Sequence, residues 1–152
     1  MGSPLQLVLA LAVALASSSC RSEGDAAPPT HAADVHELAI ETPRELVTRD
    51  GLYVVTWVPV DGAVPVNDHF EVDVTVARND DARTPVEGAA VAMTCYMPDH
   101  GHGMLREPKS EELGGGRYRV RGFLLHMGGY WTVSVSAVVD GVASTADDEL
   151  NL

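Results

Sequence analysis

The sequence predicts an all-β protein, an immunoglobulin-like antiparallel β-sandwich of about seven strands. Three observations favour this fold class. Apolar and polar residues alternate in several short segments, turn-forming residues separate those segments, and no segment after residue 35 has a helical period. The chain has 152 residues, which is enough for one domain with its own core.

Residues 1–20 are predicted to be a secretory signal peptide with a lipobox-like end. The apolar run at residues 5–16 is too short to span a bilayer stably, and it is followed by three serines and Cys20. A small-residue run that ends in cysteine is similar to a bacterial lipoprotein signal, in which Cys20 carries the lipid. We therefore expect an exported lipoprotein of the bacterial cell envelope, facing the periplasm or the exterior, whose membrane contact is its lipid anchor.

Residues 21–35 are predicted to form a flexible linker. The stretch "RSEGDAAPPTHAAD" is rich in alanine, proline and charge and has no apolar period. The folded domain is then expected over residues 36–152.

Seven segments of this domain are predicted to be strands. Turn signals lie between them in "PVNDH", "RNDDARTP", "ELGGG" and the Asp140-Gly141 pair. The strand segments are HELAIET, GLYVVTWVPV, HFEVDVTVA, EGAAVAMTCYM, GRYRVRGFLLH, YWTVSVSAVV and GVASTADDELNL.

Alternation within these segments predicts which side chains face the core. Three inward sets follow: Phe70, Val72, Val74 and Val76; Val91, Met93, Cys95 and Met97; Trp131, Val133, Val135 and Ala137. Met93 and Cys95 are therefore expected to be core residues, whereas Pro98 turns the chain and leaves the place of Met97 open. If Cys20 is lipidated, Cys95 has no partner for an intramolecular disulfide.

The charge of the chain bears on its partners. The formal net charge is −12, which repels nucleic-acid phosphates and anionic headgroups, so a nucleic-acid partner is not expected. No nucleophile–base pair or carboxylate pair can be placed, and we do not expect an enzyme.

Two segments concentrate soft ligands and imidazoles. "CYMPDHGHGM" at residues 95–104 and "HMGGYW" at residues 126–131 hold three of the six histidines. Glycines beside two of these histidines allow both rings to aim at one point, and the two segments are expected on one rim of the sandwich. The candidate metal ligands are His100, His102, Met104, His126 and Met127.

Imidazole combined with thioether favours copper, Cu(I) most of all. The sequence thus predicts an envelope lipoprotein that binds a metal ion for storage or delivery, with another envelope protein as a second candidate partner. The alternative function is an interaction module without metal, whose Met- and His-rich rim contacts another envelope protein. For the residues themselves, the alternative is a structural role, in which a histidine at a strand end bonds a carbonyl and Met127 caps the core.

The same motifs resemble a known family. "MPDHGHGM" followed by "GGGRYRVRGFLLHMGGYWTVSV" is similar to the YtkA-like family, close to the FixH-like group of envelope proteins. The resemblance implies an immunoglobulin-like sandwich in the envelope, and its FixH-like part implies copper delivery for oxidase assembly. A weaker similarity to periplasmic copper chaperones lies in the twenty-one-residue gap between Met104 and His126.

The linker should be removable, because it has no apolar period with which to dock on the domain. A chain that begins at Val35 is expected to melt within a few degrees of one that begins at Arg21, as measured by thermal unfolding. A much larger loss of stability would show that the linker packs on the sandwich.

Overall fold

The structure, a computed structural model, describes residues 37–152. The predicted signal peptide with Cys20 (1–20), the predicted linker (21–35) and the first domain residue, His36, lie outside the described residues. Nowhere in residues 37–152 is there a helix of the length and apolarity needed to cross a membrane.

Residues 37–152 form strands and no helix, which confirms the predicted all-β class. The strands, in chain order, are β1 (Glu37–Ala39), β2 (Arg44–Val47), β3 (Tyr53–Pro59), β4 (Ala63–Pro65), β5 (His69–Arg78), β6 (Ala90–Met97), β7 (His102–Gly103), β8 (Lys109–Gly114), β9 (Arg117–Leu124), β10 (Tyr130–Val139) and β11 (Val142–Asn151).

The predicted number of about seven strands is wrong, because this part of the chain contains eleven. The four strands that were missed are β2, β4, β7 and β8. Three of them have only two to four residues, too few to show an alternating pattern. Five of the six residues of β8 are exposed, so it lacks an apolar face, and it includes part of the predicted "ELGGG" turn.

Two antiparallel sheets form the sandwich. One has the strand order β2-β3-β5-β9-β8 and the other has the order β11-β10-β6-β7, while β1 and β4 make a separate pair. The predicted turn at Asp140-Gly141 joins β10 to β11, and both residues have positive φ, 51° and 81°. Positive φ at both positions is typical of the tight hairpin turn whose twist matches that of the strands.

The core lies between the two sheets, and the three predicted inward sets are all buried there. None of their twelve side chains is more than 7% exposed. Burial also decides the place of Met97, which is 2% exposed and belongs to the core. Burial raises the pKa of the Cys95 thiol to about 12, so at neutral pH this residue is a protonated apolar side chain.

Polar contacts close one edge of the sandwich. The Trp57 indole on β3 donates its N–H to a carboxylate oxygen of Asp148 on β11 at 3.0 Å. Arg44 pairs with the same carboxylate at 3.0 Å and lies 5.6 Å from the centre of the Trp57 ring. Because Trp57 and Asp148 belong to different sheets, this group ties the sheets together where β2 and β11 are neighbours.

Trp131 should be a major source of stability, since its side chain is fully buried between the sheets. Trp131→Ala is expected to lower the free energy of unfolding by about 3 kcal/mol or more, through lost burial and a residual cavity. Urea unfolding measures the change. As a control, Thr94→Ala on the exposed face of β6 should cost less than about 1 kcal/mol, and equal effects of the two changes would contradict the prediction.

Candidate functional site

The two segments rich in histidine and methionine meet on one rim of the sandwich, as their sequence predicts. β6 pairs with β10 in antiparallel register, with Tyr96 opposite Thr132. The end of β6 therefore lies beside the start of β10. The loop that follows β6 and the connection that precedes β10, residues 125–129, are neighbours for this reason.

The loop after β6 folds back on the strand that it leaves. The amide N–H groups of His100 and Gly101 both donate to the Met97 carbonyl, at 3.2 and 2.9 Å. Gly101 has a φ of 68°, which only glycine adopts at little cost. The chain then returns as β7, in which His102 lies opposite Met97. This path leaves His100 exposed at the turn and brings His102 into a half-buried position.

Three rings form the centre of the rim. The ring centroids of His102 and His126 are 5.0 Å apart. Trp131 meets both imidazoles edge to face, with centroid distances of 6.0 Å to His102 and 5.9 Å to His126. His100 lies outside this group, 5.8 Å from His102. The structure thus brings together His102 and His126 and places His100 next to the first of them.

The two central imidazoles differ in their hydrogen bonds. Nδ1 of His102 is 3.2 Å from the Gly103 carbonyl oxygen, and an N–H at Nδ1 would donate to that oxygen. Nδ1 of His126 is buried and has no hydrogen-bond partner within residues 37–152. A buried polar atom without a partner costs about 1–3 kcal/mol, so a partner at this atom would stabilise the folded protein.

The methionines surround these rings at different depths. Met97 belongs to the core, and its methyl carbon would lie 2.6 Å from a Cβ atom added to Gly129. Met104 and Met127 are partly buried and pack against the core. The backbone of Met127 is held by Trp131, whose indole N–H donates to the Met127 carbonyl at 3.1 Å.

No three histidine, cysteine, aspartate or glutamate side chains in the described residues are grouped so that they could hold a metal ion. Within these residues, a metal site on the rim would draw on two imidazoles together with thioethers. The assignment of His100, His102, Met104, His126 and Met127 as metal ligands stays a prediction.

The charge near the rim is negative. The pKa of the Tyr130 phenol is raised, chiefly by its interaction with the Glu149 carboxylate, then by burial and by the charges of Glu149 and Asp99. Carboxylates beside a cleft increase the local concentration of cations. The arrangement thus favours a positively charged ligand.

Sequence reasoning missed two residues that shape the site. Trp131 was expected only in the core, yet it also contacts both imidazoles. Gly129 exchanges two backbone hydrogen bonds with Leu152, of 2.8 and 3.0 Å, which fixes the connection before β10. Trp131 and Gly129 lie in the same sequence motif as His126, "HMGGYW". This closeness in the sequence was the indication that both residues belong to the site.

Comparison with known proteins gives one match. A family model described as YtkA-like matches residues 53–136, more than half of the chain. The matched range includes all five candidate ligands and Trp131. No curated protein and no solved structure matches the chain. The similarities to the FixH-like group and to copper chaperones stay predictions.

Gly129 should be required for the packing of the site. Its φ is 126°, and an added Cβ would clash with Met97. Gly129→Ala is expected to lower the free energy of unfolding by about 1–3 kcal/mol. The loss should be smaller when Gly129→Ala is introduced into the Met97→Ala variant than when it is introduced into the wild type. Thermal or urea unfolding measures the effect.

Gly141 offers a matched control. Its φ is 81°, and an added Cβ would meet nothing within 4 Å. Gly141→Ala therefore introduces the backbone strain without the clash and should show no coupling to Met97→Ala. If Gly129→Ala shows none either, the clash is not what requires glycine.

Proposed function

The chain belongs to the YtkA-like family, and from this premise we propose that it is an envelope protein that binds Cu(I) between His102 and His126, for storage or delivery. Family membership suggests an envelope protein and leaves the biochemical role open. The role proposed here is binding and not catalysis. It is supported by the two imidazoles of the rim and by the thioethers beside them.

The buried Nδ1 atom of His126 is the observation that carries the proposal. It has no partner within residues 37–152, and the His102 ring is next to it, with the centroids 5.0 Å apart. Buried polar atoms in native proteins almost always have partners. A bound metal ion would satisfy a neutral imidazole nitrogen at this position.

The hydrogen bond of His102 prepares its second nitrogen for a metal. If Nδ1–H donates to the Gly103 carbonyl, the Nε2 lone pair is free. A ligating histidine commonly donates its other ring N–H to a backbone carbonyl, which fixes both the tautomer and the orientation of the ring. His102 thus has the hydrogen bond that a ligand needs.

The available ligands fit Cu(I) better than Zn²⁺. Structural zinc is held by four thiolate, imidazole or carboxylate groups, and no set of even three is formed within residues 37–152. Cys95 supplies no thiolate, because its burial keeps it protonated. The thioethers of Met104 and Met127 suit a soft ion such as Cu(I) and add little for zinc.

The proposed setting of the protein follows from the sequence. The expected export signal and lipid anchor at Cys20 would hold the domain at the envelope. The resemblance to the FixH-like group and to copper chaperones supports delivery as the purpose of binding. The net charge of −12 and the carboxylates near Tyr130 favour the approach of a cation.

One observation favours a second function, an interaction module without metal. Tyr96 on β6, which pairs with Gly103 of β7, and Leu105, which follows β7 in the chain, are 48% and 72% exposed. Large exposed apolar side chains beside a loop are typical of protein contact sites. In this alternative, the histidines contact a partner protein and bind no ion.

The purified protein is expected to bind Cu(I) more tightly than Zn²⁺, as measured by competition with chelators of known affinity. Binding should weaken on acidification, because protons compete for the imidazole nitrogens. The double change His102→Ala, His126→Ala should abolish tight binding and leave the fold intact.

His69 provides the matched control. It is an exposed histidine on β5 whose Nδ1 contacts the Phe123 carbonyl at 3.3 Å. His69→Ala should leave Cu(I) affinity unchanged. Wild-type protein with no Cu(I) affinity beyond that of a scrambled His/Met peptide would exclude the metal-binding function and favour the interaction module.

A further inference from the structure

We propose that His100 is the entry ligand of this site, which takes up Cu(I) first and passes it to the pair His102 and His126. This inference rests on the proposed function and gives His100 a role distinct from that of a resting ligand. The substrate of the transfer is a Cu(I) ion held by a small chelator or by a donor protein.

The three imidazoles form a series in which one ring is exposed and two are half-buried. His100 is exposed, whereas His102 and His126 are both half-buried, and Nδ1 of His126 is inaccessible to solvent. Successive ring centroids are 5.8 and 5.0 Å apart. An ion that arrives from outside would therefore meet His100 before it meets either of the other two.

The backbone holds the His100 position while leaving its ring free. Two amide N–H bonds to the Met97 carbonyl fix the base of the turn, and an added Cβ at Gly101 would meet nothing within 4 Å. No hydrogen bond engages the His100 imidazole in the described part of the chain, whereas His102 contacts the Gly103 carbonyl. Side-chain rotation alone can thus turn the His100 ring outward or toward His102.

The transfer is a ligand exchange without oxidation or reduction. A neutral His100 nitrogen donates its lone pair to the ion as one bond from the outside ligand breaks. A nitrogen of His102 then forms its bond to the ion as the bond to His100 breaks, and a nitrogen of His126 forms its bond as the remaining bond from the outside ligand breaks. The ion stays Cu(I) throughout, and each step forms one coordination bond and breaks another.

A ligand that acts only during passage lowers the barrier and leaves both end states unchanged. Its removal must therefore slow uptake and release by the same factor and leave the affinity unaltered. Removal of a resting ligand lowers the affinity instead, because the bound state itself loses a bond. These two signatures separate an entry ligand from a resting one.

The test follows exchange of Cu(I) between the protein and a coloured bathocuproine-type chelator by stopped-flow absorbance. The protein concentrations are chosen in the range where the rate of Cu(I) exchange depends on protein concentration. His100→Ala should slow exchange in both directions about tenfold, within the range over which association rates vary among related variants. Its affinity for Cu(I) should stay within about threefold of the wild type, whereas His102→Ala should lower affinity by about 10–100-fold or more.

Two further variants sharpen the test. His100→Met keeps a soft ligand at the turn and should restore most of the exchange rate. His69→Ala removes an exposed histidine outside the series and should change neither rate nor affinity.

The inference is overturned if His100→Ala lowers affinity as much as His102→Ala does, since His100 is then a resting ligand. It is also overturned if the wild type binds Cu(I) and His100→Ala exchanges at the wild-type rate. A wild type that takes up no Cu(I) would overturn the proposed function and this inference together.

Discussion

The position of Trp131 is the constraint on which the rim depends. Its indole is fully buried between the sheets, so the side chain cannot move without opening the core. The same indole donates to the Met127 carbonyl and lies in edge-to-face contact with His102 and His126. One core residue therefore fixes the backbone beside His126 and forms a wall against which both imidazoles lie. Because the core is close-packed, this wall is rigid.

Glycines let the chain approach this wall. Gly129 leaves room for the Met97 methyl group, and Gly101 allows the turn that returns β7 to the end of β6. A side chain at Gly103 would come within 3.2 Å of the Cys95 carbonyl oxygen, closer than most Cβ atoms approach a neighbour. The glycines of both segments thus allow neighbouring chain segments to pack closely. The histidines and methionines between these glycines fill the remaining space.

The rim combines an apolar interior with an acidic exterior. Buried thioethers and the indole exclude water on the inner side, and carboxylates including Asp99 and Glu149 lie near Tyr130 on the outer side. A buried imidazole nitrogen without a hydrogen-bond partner is energetically costly in such surroundings, because low polarity raises the free-energy cost of an unmade hydrogen bond.

Local alternation determined the fold class and the three inward faces, because the side of a sheet on which a residue lies follows from a period of two. The residue types in "CYMPDHGHGM" and "HMGGYW" also determined which chemistry the rim can offer, and strand order made the two segments neighbours. Only the tertiary structure decided that His102 and not His100 meets His126 and that Met97 enters the core. It also decided that Nδ1 of His126 has no partner within residues 37–152. Those outcomes depend on the register of β6 with β10 and on the pairing of β7 with the end of β6. No local sequence pattern predicts either of these, because β7 has only two residues and its position is set by its pairing with Tyr96 and Met97.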